Sequence, residues 1–161
     1  MDIILEKHFK SWIDNLSTIR DLSENTVISY KSDIHKFLIF LESHLDSSPN
    51  INNIKKLEIS DFRSFLSHQR NNGINSNSIA RNISSLKSFF NHLIKEEIIE
   101  SSAISSLKSP KLKKSLPRPI DSKLAIEAIK CAETMEKEKW VGLRNKSILM
   151  LLYGCGLRIS E

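Results

Sequence analysis

The chain has 161 residues, 40% of them hydrophobic and 27% charged, a balance that supports one or two small cores and excludes wholesale disorder. Two cysteines at unrelated positions argue against a disulfide framework or a metal site, and no cofactor or metal is expected. The net charge of +5 is spread unevenly and is the first pointer to a partner.

Residues 60–95 carry five basic groups against one acidic group, and 108–118 carry five basic groups and no acidic one. Between them, Glu96, Glu97 and Glu100 make 96–107 acidic, and the first 59 residues are close to neutral. Two basic bands fit either a polyanion partner or two solvated faces. The acidic opening Met1-Asp2-Ile3-Ile4-Leu5-Glu6 is no secretory signal, and no apolar run approaches membrane-spanning length. A cytoplasmic protein with no membrane partner is expected.

Only four glycines and four prolines occur, and no sustained period-two alternation is present, so the expected fold is all-α. Residues 3–16 place Leu5, Phe9, Trp12, Ile13 and Leu16 on one helical stripe. Ser23 is a good N-cap for a second helix, buried through Val27, Tyr30, Ile34, Phe37, Leu38, Leu41 and Leu45. Ser47 to Pro49 end it and open a polar connection anchored by Ile54, Leu57 and Ile59. Ser60-Asp61 caps a third helix with Phe62, Phe65 and Leu66 inside, and Asn71-Asn72-Gly73 stops it.

A fourth helix is expected from about Ser76 to Lys95, with Ile79, Ile83, Leu86, Phe90, Leu93 and Ile94 buried and Phe89 at the margin. Its opposite face carries Ser78, Arg81, Asn82, Ser85, Ser88 and His92, flanked by Ser84 and Lys87, and holds no carboxylate before Glu96. Short hydroxyls, amides and cations without acids suit phosphate contacts and groove edges; the alternative is an ordinary solvated face. A short helical piece follows within 98–108.

Residues 109–119 contain three prolines and four basic groups and read as an extended linker. Beyond it, Asp121-Ser122 caps a helix with Leu124, Ala125, Ala128, Ile129 and Ala132 inside. A last helix from about Gly142 to Tyr153 is apolar on nearly every side, more than the residues after the linker can cover. It closes on Gly154 and Gly156, both suited to positive φ, followed by Arg158 on the corner. That arginine is either structural or placed to grip a carboxylate or phosphate.

These stretches together resemble the N-terminal part of the tyrosine-type site-specific recombinases, the Xer group above all. The resemblance rests on Leu22-Ser23-Glu24-Asn25-Thr26 leading to Tyr30 and Ile34, and on Ser76-Asn77-Ser78-Ile79-Ala80-Arg81 leading to Phe89-Phe90. It continues through Ser109-Pro110-Lys111, Leu116-Pro117-Arg118, Arg144-Asn145-Lys146 and Tyr153-Gly154-Cys155-Gly156-Leu157-Arg158-Ile159-Ser160-Glu161. Ser102 departs from the pattern, standing where such recombinases often have proline before Ala103.

The resemblance implies a SAM-like core-binding bundle of four to five helices over 1–108, a basic linker over 109–120, and the helical start of a truncated catalytic domain over 121–161. It implies double-stranded DNA as partner, with contacts from Thr26, Ser78, Arg81, Ser84, Lys87 and Ser88. Lys111, Lys113, Lys114 and Arg118 would lie on phosphates. It places the family's first catalytic arginine on Arg158 and its accompanying acid on Glu161. The family's lysine, its His-x-x-Arg box, its further His or Trp and its nucleophilic tyrosine would all lie further C-terminal. Tyr30 and Tyr153 read as core, so this chain by itself is not expected to cleave DNA. The implied process is chromosome dimer resolution or integration, with another recombinase subunit joining a synaptic tetramer at full length. The alternative is an interaction or decoy module that assembles with a full-length recombinase.

Overall fold

The computed structural model describes residues 2–111 and 119–159, and the chain divides into two compact units, 1–113 and 114–161. Among the described residues every regular element is helical. The expectation of an all-α fold therefore holds.

In the first unit, α1 (Ile3–Asp14) widens into a π-helical turn over Asn15–Ile19, which carries Leu16 into the core. Asp21, at φ +46°, reverses the chain into α2 (Glu24–His44). Ser23 stands at the N-cap as its residue type suggests, but its hydroxyl meets Thr26 Oγ1 at 2.9 Å rather than a backbone amide. The connection after α2 is more ordered than its polar composition suggests. Asn50 accepts a bond from the Asn53 amide at 2.9 Å and starts the short α3 (Ile51–Lys55), which buries Ile54.

The next helix, α4 (Ile59–Asn71), begins earlier than Ser60-Asp61 would place it. Its N-cap is Glu58, whose amide donates to Asp61 Oδ2 at 2.8 Å, so Asp61 serves from inside the first turn. Gly73, at φ +78°, ends the segment. Asn75 then caps α5 (Ser76–Lys95) through the Ser78 amide at 2.8 Å. The piece after α5 is only a 3₁₀ turn, Ala103–Ser106, which fixes Ile104 in the core.

The core of this unit is an aromatic ladder. Phe37 stacks on Phe62 at 5.5 Å and meets Phe65 edge-on at 5.1 Å. Trp12 meets Phe89 edge-on at 5.3 Å and stacks on Tyr30 at 6.4 Å. Rings offset or edge-on at these separations add to their area burial, so the ladder ties α1, α2, α4 and α5 together. Phe89, placed at the margin by periodicity, is fully buried.

The second unit pairs α6 (Ser122–Thr134) with α7 (Lys139–Cys155). Asp121 caps α6 as expected, accepting from the Lys123 amide at 2.8 Å. Gly142 lets the two backbones approach, because a Cβ there would sit 2.3 Å from the Glu133 carbonyl oxygen. Lys146 and Glu133 bridge the pair at 2.6 Å. Among the described residues of this unit only Ala125 and Gly142 are buried.

Leu124, expected inside, is 60% exposed, and Tyr153, read as core, is 49% exposed. Two helices cover only the strip along which they face each other, and the rest of an apolar surface stays open. At the end of α7, Gly156 takes the left-handed conformation at φ +65°, whereas Gly154 stays helical. Only one of the two glycines makes the corner.

Candidate nucleic-acid interface

The polar side of α5 is not the uniformly solvated face that its sequence suggests. Asn82, Ser85 and His92 are buried. For Asn82 and Ser85 the physical cause is Asp33 on α2, a carboxylate that lies between Tyr30 and Phe37 on that helix's buried side and is itself 2% exposed. A buried anion needs compensating donors, and α5 supplies them.

Arg81 donates to Asp33 through Nε at 2.9 Å and Nη2 at 3.0 Å, a bidentate pair. Ser85 Oγ donates to Asp33 Oδ2 at 3.3 Å. The Asn82 amide, with its nitrogen turned inward, donates to Oδ1 at 2.7 Å and to the Ser78 carbonyl at 3.2 Å. The Asp33 carboxylate holds the Arg81 guanidinium still more firmly in its charged form.

What remains on the outside of α5 is narrower and better fixed. Arg81 keeps 44% of its side chain exposed. Ser84 is exposed and folds its hydroxyl onto the Ala80 carbonyl at 3.1 Å. Ser88 is half-buried and accepts from Trp12 Nε1 at 3.2 Å and from Arg20 Nη1 at 3.1 Å. On the other edge Lys87 reaches the Ser105 carbonyl at 3.4 Å. Thr26 sits half-buried in the first turn of α2, and Ser78 is half-buried in the first turn of α5. Of the predicted residues on α5, Arg81, Ser84 and Ser88 thus share one outward strip, flanked by Lys87, and its cationic donors suit phosphate oxygens and base edges.

Arg20 and Asp33 had not been singled out from the sequence. Asp33 carried a signal, since a carboxylate three residues after Tyr30 and four before Phe37 lies on the apolar stripe and must find a cation. Arg20 carried none, because only the fold brings it beside Ser88. Of the remaining predicted contacts, Lys111 is exposed, and Lys113, Lys114 and Arg118 lie outside the described residues. Arg158 is exposed beyond Gly156, and Glu161 lies outside the described residues. Among the described residues no group of His, Cys, Asp and Glu is arranged to hold a metal ion, and no helix is long and apolar enough to cross a membrane.

His92, which periodicity places on the polar face, is 7% exposed, and its Nε2 has no hydrogen-bond partner within the described residues. Burial pushes its pKa below the ordinary imidazole value; Glu96 opposes the shift, and His8 and Lys95 reinforce it. The unfolded chain therefore takes up this proton at a higher pH than the folded one. Stability from His92 is present above about pH 6.5 and falls as the pH drops below it. Urea midpoints measured from neutral to mildly acidic pH should decline, and His92→Gln should flatten that decline.

Comparison with known proteins follows the same direction. Residues 9–97, most of the first unit, match the family model described as phage integrase, N-terminal SAM-like domain. The chain is 39% identical over 152 residues to the tyrosine recombinase XerC of Brucella suis, covering 94% of this chain and 48% of that protein. It is 35% identical over 160 residues to the XerC of Agrobacterium fabrum, covering 99% and 50%. It is 37% identical over 161 residues to the XerC of Rickettsia typhi, covering 100% and 53%. The chain spans about half the length of these curated relatives. No solved structure gives a significant match.

Proposed function

Because the chain belongs to the phage integrase N-terminal SAM-like family, we propose that its first unit clamps double-stranded DNA as the front part of a tyrosine recombinase acting in site-specific recombination. The observation that carries this reading is the outer strip of α5. Arg81, Ser84 and Ser88 share it, Lys87 flanks it, Arg20 joins it at Ser88, and Asp33, the carboxylate that braces Arg81, is buried beneath it. Thr26 and Ser78 are the proposed contacts at the starts of α2 and α5, and Lys111, Lys113, Lys114 and Arg118 are the proposed phosphate contacts of the linker.

Arg158 is the candidate for the scissile phosphate, where its planar fork would donate to non-bridging oxygens, and Glu161 would orient it. The proposed setting is cytoplasmic, in chromosome dimer resolution or integration, with a second recombinase subunit as protein partner. The only tyrosines, Tyr30 and Tyr153, stand outside the family's nucleophile motif, so this chain binds without forming a phosphotyrosine bond.

A titration of the chain on duplex DNA tests this. With four to six phosphates neutralised, affinity should drop by about two to three orders of magnitude between about 50 and about 200 mM salt. A nicked suicide substrate in the same assay should yield no covalent adduct. Binding that is absent or indifferent to salt would overturn the reading.

A further inference from the structure

The strip on α5 holds two guanidinium groups, and each is fixed by an acceptor of the protein. Arg81 gives Nε and one Nη2 hydrogen to the buried Asp33. A guanidinium has five N–H donors, so three remain available on its exposed edge. Arg20 is exposed and rests Nη1 on Ser88 Oγ at 3.1 Å. That same oxygen accepts from Trp12 Nε1, and Trp12 is fully buried, so Ser88 is anchored to the core. Ser88 follows Arg81 by seven residues, two turns along one edge of α5, so the helix positions that carry the two anchors are about 10 Å apart along its axis. The major groove is about 12 Å wide.

We propose that Arg20 and Arg81 form a two-point phosphate clamp, one guanidinium for each wall of the major groove, and that Asp33 and Ser88 are the positioning residues that set them. The clamp rests on the DNA-binding reading above and specifies how α5 lies: across the groove, with Ser84 between the two anchored cations. A guanidinium held in its binding geometry before the DNA arrives loses less freedom on contact than one on a free chain. Asp33 does not repel the DNA, because its charge is buried and its oxygens are taken up by Arg81, Ser85 and Asn82.

The test is binding of the full 161-residue chain to a short duplex, followed by fluorescence anisotropy over a salt series. Arg20→Ala should weaken binding about tenfold and lower the slope of log affinity against log salt by about one. Lys55→Ala also removes one positive charge, but from α3, beside Glu97 rather than on the strip, and should leave both readouts near the parent values. Ser88→Ala removes no charge and should still weaken binding, by about threefold.

Asp33→Asn removes a negative charge, so a pure charge effect would tighten binding, whereas loss of the bidentate brace should loosen it several-fold. Thermal unfolding identifies a variant that has lost its fold, and Arg20→Ala, at an exposed position, keeps the test open if Asp33→Asn does. Parent binding with Arg20→Ala unchanged would overturn the clamp and leave the DNA-binding reading standing. Tighter binding by folded Asp33→Asn would overturn the positioning role of Asp33. No binding by the parent chain at any salt would overturn both the reading and the clamp.

Discussion

Trp12→Ala is expected to cost the first unit about 4 kcal/mol, enough to leave a small domain largely unfolded at room temperature. Trp12 is 1% exposed and contacts three other rings, with Phe9 at 5.9 Å, Tyr30 at 6.4 Å and Phe89 at 5.3 Å. Its removal opens a cavity where α1, α2 and α5 meet, and helices joined at three sides cannot all close on it. It also deletes the Nε1 donor to Ser88. Trp12→Phe separates the two effects, since it keeps most of the ring and loses the donor; a cost of about 1–2 kcal/mol is expected. Amide exchange on α1 and α5, read against urea denaturation, measures both. Equal costs for the two substitutions would show that the hydrogen bond, not the ring, holds α1 in place.

The second large effect is at Arg81. Arg81→Ala leaves Asp33 buried with Ser85 and Asn82 as its remaining donors, and the unfolding free energy should fall by about 3 kcal/mol. This is the lower end for breaking a buried pair, because the Arg81 side chain is 44% exposed and water can reach part of its place. Arg81→Lys should recover only part of the loss, since an ammonium cannot match the fork that spans both carboxylate oxygens. A loss under about 1 kcal/mol would make the pair an ordinary surface bridge. Because α2 and α5 are both held by this pair, exchange should quicken in both helices rather than in one.

Much of the fold was legible from local pattern. The apolar stripes of α1, α2 and α5 put Leu5, Phe9, Ile34, Phe37, Ile79 and Ile83 in the core, and the structure buries them all. The bounds Ser76 to Lys95 for α5 follow from polar punctuation at both ends. Caps were less dependable. Glu58 starts α4 because Asp61 reaches back to its amide, a reciprocal arrangement that Ser60 masks in the sequence. The second unit shows the opposite limit. An apolar α7 announced a need for cover, but which of its side chains would stay open depended on how closely Gly142 lets α6 approach.

The candidate interface divides in the same way. Charge segregation and the acid-free run on α5 single out that helix, and Arg81, Ser84, Lys87 and Ser88 on it, as the candidates. Helical periodicity, however, assigns a residue to a face and says nothing about what packs on that face. By itself the sequence determined the helices, their apolar sides and the basic bands, because those depend on neighbours three and four residues away. Only the tertiary structure decided that Asn82, Ser85 and His92 turn inward, that Arg81 is braced across 48 residues by Asp33, and that Arg20 comes to rest on Ser88. Those arrangements depend on residues distant in the chain, and the ones around Asp33 exist because a buried carboxylate had to be neutralised where α2 and α5 met.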